Sequence, residues 1–120
     1  MKLAVTSQAG GLDSPVDPRF GRAKYFVLVD TDTGVFSAHD NAQNLNAPQG
    51  AGIQAAQTVA QLGAEAVLTG HVGPKAFTTL QAANIAVYTG VSGTITEAIE
   101  QFKSGRLTPA ARADVEGHWS

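Results

Sequence analysis

The second half of the chain alternates between short apolar runs, typical of buried strands, and longer runs with helical spacing. Strand patterns at Glu65–Gly70 and Ile85–Tyr88 are separated by helical patterns that begin at Ala51, Pro74 and Thr94. Parallel strands need a long crossover connection, which is usually a helix. The alternation therefore predicts a parallel sheet whose faces are covered by helices.

The first half of the chain predicts a single strand followed by a hairpin. Lys2–Ser7 is a short apolar run that ends in small polar residues and glycines. Tyr25–Asp30 and Val35–Asp40 are strand-like and flank a turn at 32–34, which is the pattern of a hairpin. The element order of the whole chain is therefore β-β-β-α-β-α-β-α.

Capping signals set the expected helix boundaries. Ala51–Leu62 carries its apolar residues on one stripe and is followed by a glycine, which is typical of a helix C-terminus. The next helix begins at Pro74 and ends near Asn84. Thr94 forms a capping box with the glutamate three residues later, and the helix it begins ends before Gly105.

These elements predict an α/β fold, specifically a three-layer α/β/α sandwich around a five-stranded mixed sheet. Right-handed crossovers favour the sheet order 3-2-1-4-5 with strand 2 antiparallel. The carboxyl ends of the first and fourth strands then open a crevice, lined by Ser7–Gly11 and Gly70–Pro74, where such sheets bind ligands. With a length of 120 residues, we expect a single domain over residues 1–107 and a C-terminal tail over 108–120.

Composition excludes several kinds of site and partner. The chain has no cysteine, so it forms no disulfide, no thiolate zinc site and no thiolate-held iron–sulfur cluster. Eight basic and ten acidic residues give a formal net charge of −2, which argues against nucleic acid as a partner. The sequence contains no signal-peptide pattern and no apolar run of about 18 residues. We therefore expect a cytoplasmic protein with no membrane partner.

The sequence also argues against an enzyme. Ribonuclease H-like nucleases share this element order, and their two-metal chemistry needs carboxylates from the first strand, the first helix and the fourth strand. Residues 2–7 and 51–62 contain no acidic residue, and Glu65 lies at the wrong end of its strand. Because no nucleophile motif is present either, the sequence predicts a protein without catalytic residues.

The densest basic cluster lies in the loop DPRFGRAKYF and consists of Arg19, Arg22 and Lys24. Such a loop offers a positive surface suited to an anion with several acceptor atoms. Phe20 and Gly21 would shape the loop, since glycine permits a tight turn. The alternative is a solvated loop whose arginines pair with Asp13 and Asp17.

A second candidate segment follows the fourth predicted strand. His71 comes directly after Gly70, and Lys75 lies in the first turn of the next helix, whose N-terminus favours anions. The position suits a ligand-binding histidine, and ordinary polar surface is the alternative. No two histidines are three or four residues apart, so a metal site would require the fold to bring His71 and His39 together.

These motifs, in this order, resemble the dinitrogenase iron–molybdenum cofactor biosynthesis family from Met1 to about Leu107. The matching segments are MKLAVTS, VDPRFGRAKYFVLVD, GAGIQAA, GAEAVLTGHVGPKAFTTLQAANIAVYTG and TITEAIEQFKSGRL. The resemblance implies a ribonuclease H-like α/β/α domain. It also implies that the domain binds metal–sulfur clusters or their precursors without catalysing a reaction.

The chain departs from the family pattern at one position. In the nitrogenase-linked carriers the residue before the Phe-Gly pair is typically a histidine that ligates the cofactor, whereas this chain has Arg19. A cationic loop favours non-covalent capture of an anionic cluster. In this respect the chain resembles a branch of the family, the orange proteins of sulfate-reducing bacteria, which carry a molybdenum–copper sulfide cluster without cysteine.

The resemblance thus implies a carrier for an anionic molybdenum–copper sulfide cluster, or alternatively for an iron–molybdenum cofactor or its precursor. Its partners would be cluster-assembly or recipient proteins. The other interpretation is a regulatory or protein-interaction module, or a phosphate or nucleotide binder, that uses the same crevice. The expected cofactor-binding residues are Ser7, Arg19, Phe20, Gly21, Arg22, Lys24, Gly70, His71, Gly73 and Lys75, and the candidate metal ligands are His71 and His39.

Overall fold

The computed structural model describes residues 1–41 and 50–111. The expected tail at 108–120 lies outside the described residues from position 112 onward. In chain order the elements are β1 Lys2–Ser7, β2 Tyr25–Asp30, β3 Phe36–Asp40, α1 Ala51–Gln61, β4 Ala66–Leu68, α2 Pro74–Ala82, β5 Ala86–Tyr88 and α3 Ile95–Lys103. Within these residues, no helix is long and apolar enough to cross a membrane.

The strands form one mixed sheet of five, in the order β3-β2-β1-β4-β5. β1 pairs antiparallel with β2 and parallel with β4, and β4 pairs parallel with β5. The predicted α/β fold, strand order and direction of strand 2 are confirmed. Because Val5 lies opposite Leu68, the carboxyl ends of β1 and β4 are adjacent.

Alternate strand residues belong to two separate apolar cores. Ala4 and Val67 pack with buried residues of α1 and α2, whereas Leu3, Val5 and Leu68 pack with buried residues of α3. Successive side chains of a strand point to opposite faces of the sheet. The two cores therefore lie on opposite faces, and burial of apolar surface in both stabilises the sheet from each side.

Local capping explains where the helices begin and end. Thr94 Oγ1 accepts the backbone N–H of Glu97 at 3.2 Å, and Glu97 Oε1 accepts the backbone N–H of Thr94 at 2.9 Å. The predicted capping box is confirmed. α1 begins after Gly50, whose φ of 78° suits glycine. Asn84, with φ of 61°, follows α2 in the left-handed conformation that this residue tolerates.

The strands β3, β4 and β5 are shorter than their predicted ranges, and β4 shows the reason. The prediction extended it to Gly70, but the ladder with β1 ends at Leu68. Beyond this point the backbone pairs with the long loop between β1 and β2, since the N–H of His71 donates to Pro18 O at 2.7 Å. The loop therefore pairs with the segment after β4, where the pairing between β4 and β1 has ended.

Candidate functional site

The basic loop is held against the turn after β4 by backbone hydrogen bonds. The N–H of Phe20 donates to His71 O at 3.1 Å, and the N–H of His71 donates to Pro18 O at 2.7 Å. Arg19 and His71 are therefore partners in a short parallel pairing. The two segments that the sequence marked as candidates, one from each half of the chain, meet beyond the carboxyl ends of β1 and β4.

Gly70 permits this close approach. A Cβ atom at this position would lie 2.6 Å from Pro18 O and 2.7 Å from Pro18 Cα. Both atoms belong to the backbone, so they cannot move aside as the end of a flexible side chain would. Gly70 therefore shapes the site by allowing the loop to pack on the turn.

Asp17 folds the loop from within. Its side chain is 3% exposed, and Oδ1 accepts the backbone N–H of Arg19 at 3.0 Å, which is an Asx turn. Arg19 Nε lies 3.7 Å from the same oxygen, while the Arg19 side chain is 43% exposed. Arg19 and Asp17 therefore form the pair that the alternative interpretation of the loop expected. Part of the Arg19 side chain still reaches solvent.

Two buried hydroxyls lie beneath Asp17. Thr6 Oγ1 donates to Asp17 O at 2.7 Å and lies 2.9 Å from Thr69 Oγ1. The N–H of Asp17 in turn donates to Thr6 O at 2.8 Å. These bonds satisfy polar groups that would be costly to bury unpaired, and they fix the start of the basic loop to β1.

Phe20 and Asn41 hold the rest of the loop. The Phe20 ring is fully buried, with its centroid 5.6 Å from that of Phe26, so it belongs to the core shared with α1 and α2. Buried Asn41 donates through Nδ2 to Ala23 O at 2.8 Å and to Gly21 O at 3.3 Å. The Phe20 ring therefore anchors the loop in this core, and it offers no surface to a ligand.

The other expected site residues differ in what they can contribute. Ser7 is buried and its hydroxyl bonds the backbone of Ala9, so it closes a turn at the end of β1. Lys24 is exposed just before β2, and Arg22 is half-buried. Lys75 is exposed in the first turn of α2. Among the described residues of these two segments, Lys24 and Lys75 are thus exposed, and Arg19 and Arg22 are half-buried.

His39 lies away from His71. It sits on β3 opposite Phe26, and its Nε2 is 2.8 Å from Ser37 Oγ. The strand order separates β3 from β4 by two intervening strands, which corresponds to roughly 14 Å between their backbones. The sheet does not bring the two histidines together, and residues 1–41 and 50–111 contain no group of three acidic or histidine side chains placed to hold a metal ion.

A shallow groove begins at the N-terminus of α2. It has a volume of about 370 Å³ and is lined by Ile53, Pro74, Lys75, Thr78 and Thr79. The lining thus combines two apolar residues with a lysine and two threonines. Such a surface suits an anion whose outer atoms are soft and weakly hydrated, because it combines charge with apolar contact.

Sequence reasoning missed the supporting roles of Asp17, Asn41 and the Thr6–Thr69 hydroxyl pair. A signal existed for Asp17, because an aspartate followed by proline favours a turn closed by its own side chain. None existed for Asn41 or the threonines, since their partners are distant in sequence.

The mixed sheet and the loop paired beyond its strand ends are features that this chain shares with a known protein family. The family model described as dinitrogenase iron–molybdenum cofactor matches residues 1–105, and the chain belongs to this family. The resemblance inferred from the motifs is therefore confirmed.

Solved structures and curated relatives agree with this assignment. The apo form of the orange protein from Desulfovibrio gigas is 45% identical, with a TM-score of 0.93 over 95% of this chain and 96% of that chain. A NifB-like protein from Thermotoga is 35% identical, with a TM-score of 0.83 over 97% and 98% of the two chains. An uncharacterized protein of Methanocaldococcus jannaschii is 30% identical over 94 residues, which are 77% of this chain and 80% of that protein.

Proposed function

We propose that this protein is a non-enzymatic carrier of an anionic, molybdenum-containing metal–sulfur cluster, held without covalent bonds beyond the carboxyl ends of β1 and β4. Family membership and the similarity to the orange protein support a cofactor-binding role. A molybdenum–copper sulfide cluster is the cargo that we favour. An iron–molybdenum cofactor or its precursor is the alternative cargo.

The pairing of Arg19 with His71 is the observation that carries the proposal. The pairing brings the backbones of Arg19 and His71 together, shortly before the N-terminus of α2. Helix N-termini favour anions because their first N–H groups have no partner within the helix. A guanidinium, an imidazole and the α2 N-terminus would then supply nitrogen donors and positive charge to the cargo.

The residues present fit a cluster that brings its own sulfur. The chain has no cysteine, so the sulfur around the metal must arrive with the cargo. Sulfide on molybdenum carries negative charge on soft atoms, which accept weak hydrogen bonds and pack against apolar surface. Arg19, Lys24 and Lys75 would supply charge, and the groove beside α2 would supply apolar contact.

Reconstitution tests this function. The apo protein would be incubated with tetrathiomolybdate and copper, desalted, and assayed for its visible spectrum and for bound metal. We expect a visible charge-transfer band that elutes with the protein, together with retained molybdenum. If neither the band nor molybdenum is retained, the carrier function is refuted. In that case, binding of inorganic phosphate or a nucleotide by the same protein would favour the alternative interpretation.

We also propose that the architecture is the three-layer ribonuclease H-like sandwich expected from the sequence. Support comes from the two apolar cores, of which one is shared with α1 and α2 and the other with α3. Within this fold, the separation of His39 from His71 argues for capture by charge and not by a pair of histidine ligands. The cytoplasmic location stays a prediction from the sequence.

A further inference from the structure

We infer that Asp17 is an internal counter-charge that competes with the bound anion for Arg19 and thereby sets how readily the cargo is released. The inference rests on the proposed carrier function and adds a residue that the sequence did not assign to the site. Asp17 would act through Arg19, so it is a positioning residue and does not contact the cargo.

The carboxylate of Asp17 is fixed independently of the Arg19 side chain. Oδ1 accepts the backbone N–H of Arg19 at 3.0 Å, and the backbone of Asp17 is bonded in both directions to Thr6. The side chain is only 3% exposed. The negative charge would therefore stay in place when the guanidinium moves.

The Arg19 side chain is held more loosely. Its Nε lies 3.7 Å from Asp17 Oδ1, beyond the usual length of a charge-assisted hydrogen bond, and 43% of the side chain is exposed. The guanidinium can therefore turn towards an anion in front of the paired segments while the Arg19 N–H stays bonded to the Asp17 carboxylate and the flanking Pro18 and Phe20 stay bonded to His71. The ion pair is long and its arginine is partly exposed, so water can solvate the guanidinium when the pair opens.

The buried charge would weaken anion binding in two ways. An incoming anion must replace Asp17 as the partner of the guanidinium. Once bound, it would still be repelled by a carboxylate that solvent screens poorly. When the anion leaves, Asp17 recovers Arg19, so the empty site does not hold an unpaired guanidinium. A protein that passes its cargo on benefits from such a limit on affinity, because a cargo that is bound too tightly would not be transferred.

The variant Asp17→Asn tests this inference, since the amide oxygen can still accept the backbone N–H of Arg19 while the charge is lost. Asp13→Asn is the matched control, because Asp13 is exposed on the same loop and undergoes the same charge change. Dissociation of tetrathiomolybdate with copper would be followed after adding a chelator. We expect Asp17→Asn to release the cluster about 3- to 10-fold more slowly than wild type, and Asp13→Asn to differ by less than about twofold.

A second measurement uses the wild-type protein, in case Asp17→Asn does not fold. In nuclear magnetic resonance spectra, the Arg19 Nε–H signal should shift on adding tetrathiomolybdate with copper, whereas the Arg19 backbone amide, held by Asp17, should shift much less. If Asp17→Asn releases the cluster at the rate of Asp13→Asn, the inference about Asp17 is overturned and the proposed function is not. The same holds if the Arg19 Nε–H signal does not respond to bound cluster. Failure of the wild-type protein to bind the cluster would instead contradict the proposed function on which the inference rests.

Discussion

The loop between β1 and β2 and the turn between β2 and β3 both join neighbouring antiparallel strands. They differ in whether their contacts are local or distant in sequence. The turn uses local bonds: Asp30 Oδ1 accepts the N–H of Asp32 at 2.9 Å, and Asp30 O accepts the N–H of Gly34 at 2.8 Å. Asp32 and Val35 are 83% and 70% exposed. The loop instead buries Asp17 and Phe20 and pairs with a segment far away in sequence.

The difference shows which irregular segment is anchored in the core of the protein. A turn that only reverses the chain needs a few local bonds and can leave its side chains in water. The loop has no regular secondary structure, but it is anchored on both sides by core side chains and backbone bonds. The anchoring fixes the Arg19 backbone beside His71, as the proposed carrier site requires, since binding groups must be held before the ligand arrives.

The largest contrast is expected between two phenylalanines. Phe20→Ala in the loop should destabilise the protein by about 3–5 kcal/mol, because a fully buried ring is lost from the core. Phe36→Ala beside the turn should cost less than about 1 kcal/mol, since its ring is 42% exposed. Urea denaturation of both variants measures the difference in free energy of unfolding. Equal losses would show that the loop is no better anchored than the turn.

Two glycines give the next largest contrast. Gly70→Ala should cost about 3 kcal/mol, because the new Cβ would overlap the backbone of Pro18. Gly34→Ala in the turn has open space around the new Cβ and a φ of 76°, so only the backbone strain of about 1 kcal/mol is expected. Thermal unfolding compares the two variants. A Gly70→Ala protein as stable as Gly34→Ala would contradict the close packing of loop and turn.

The smallest expected effect concerns pH at the β2–β3 turn. The backbone N–H of Asp32 donates to the Asp30 carboxylate, which lowers the pKa of Asp30 below its ordinary value. A lowered folded-state pKa means that this stabilisation is complete above the unfolded pKa of about 4 and is lost as the pH falls through the lower folded value. Carboxyl chemical shifts would measure the titration of Asp30. A midpoint at or above about 4 would show that the turn bond is absent in solution.

Much of the fold follows from local sequence signals. Apolar runs of strand length, the capping box at Thr94 and the right-handed crossover rule together predict the observed strand order. Strand ends were less predictable, because β4 stops where the loop takes over its edge. That exchange depends on contacts between segments some 50 residues apart, such as Pro18 with His71, and local patterns do not encode such contacts.

The candidate site was predictable to the level of segments. Strand order alone placed the basic loop and the turn after β4 at one edge, and the structure pairs Arg19 with His71 there. The direction of individual side chains was not predictable, because an irregular loop has no period that links sequence position to a face. The burial of the Phe20 ring and the turn closed by the Ser7 hydroxyl have no such pattern, whereas for Asp17 only the following proline was a signal.

Retention of molybdenum by a charge-reversed loop tests whether the basic loop holds the cluster. Arg19→Glu with Arg22→Glu would be compared with Lys103→Glu with Arg106→Glu, which makes the same charge change on exposed residues at the end of α3 and just beyond it. After incubation with tetrathiomolybdate and copper, molybdenum bound per protein would be measured for both variants and for wild type. We expect the loop variant to lose most of its molybdenum while it still shows a cooperative thermal unfolding transition, and the α3 variant to retain its molybdenum. Equal retention by the two variants would contradict the account.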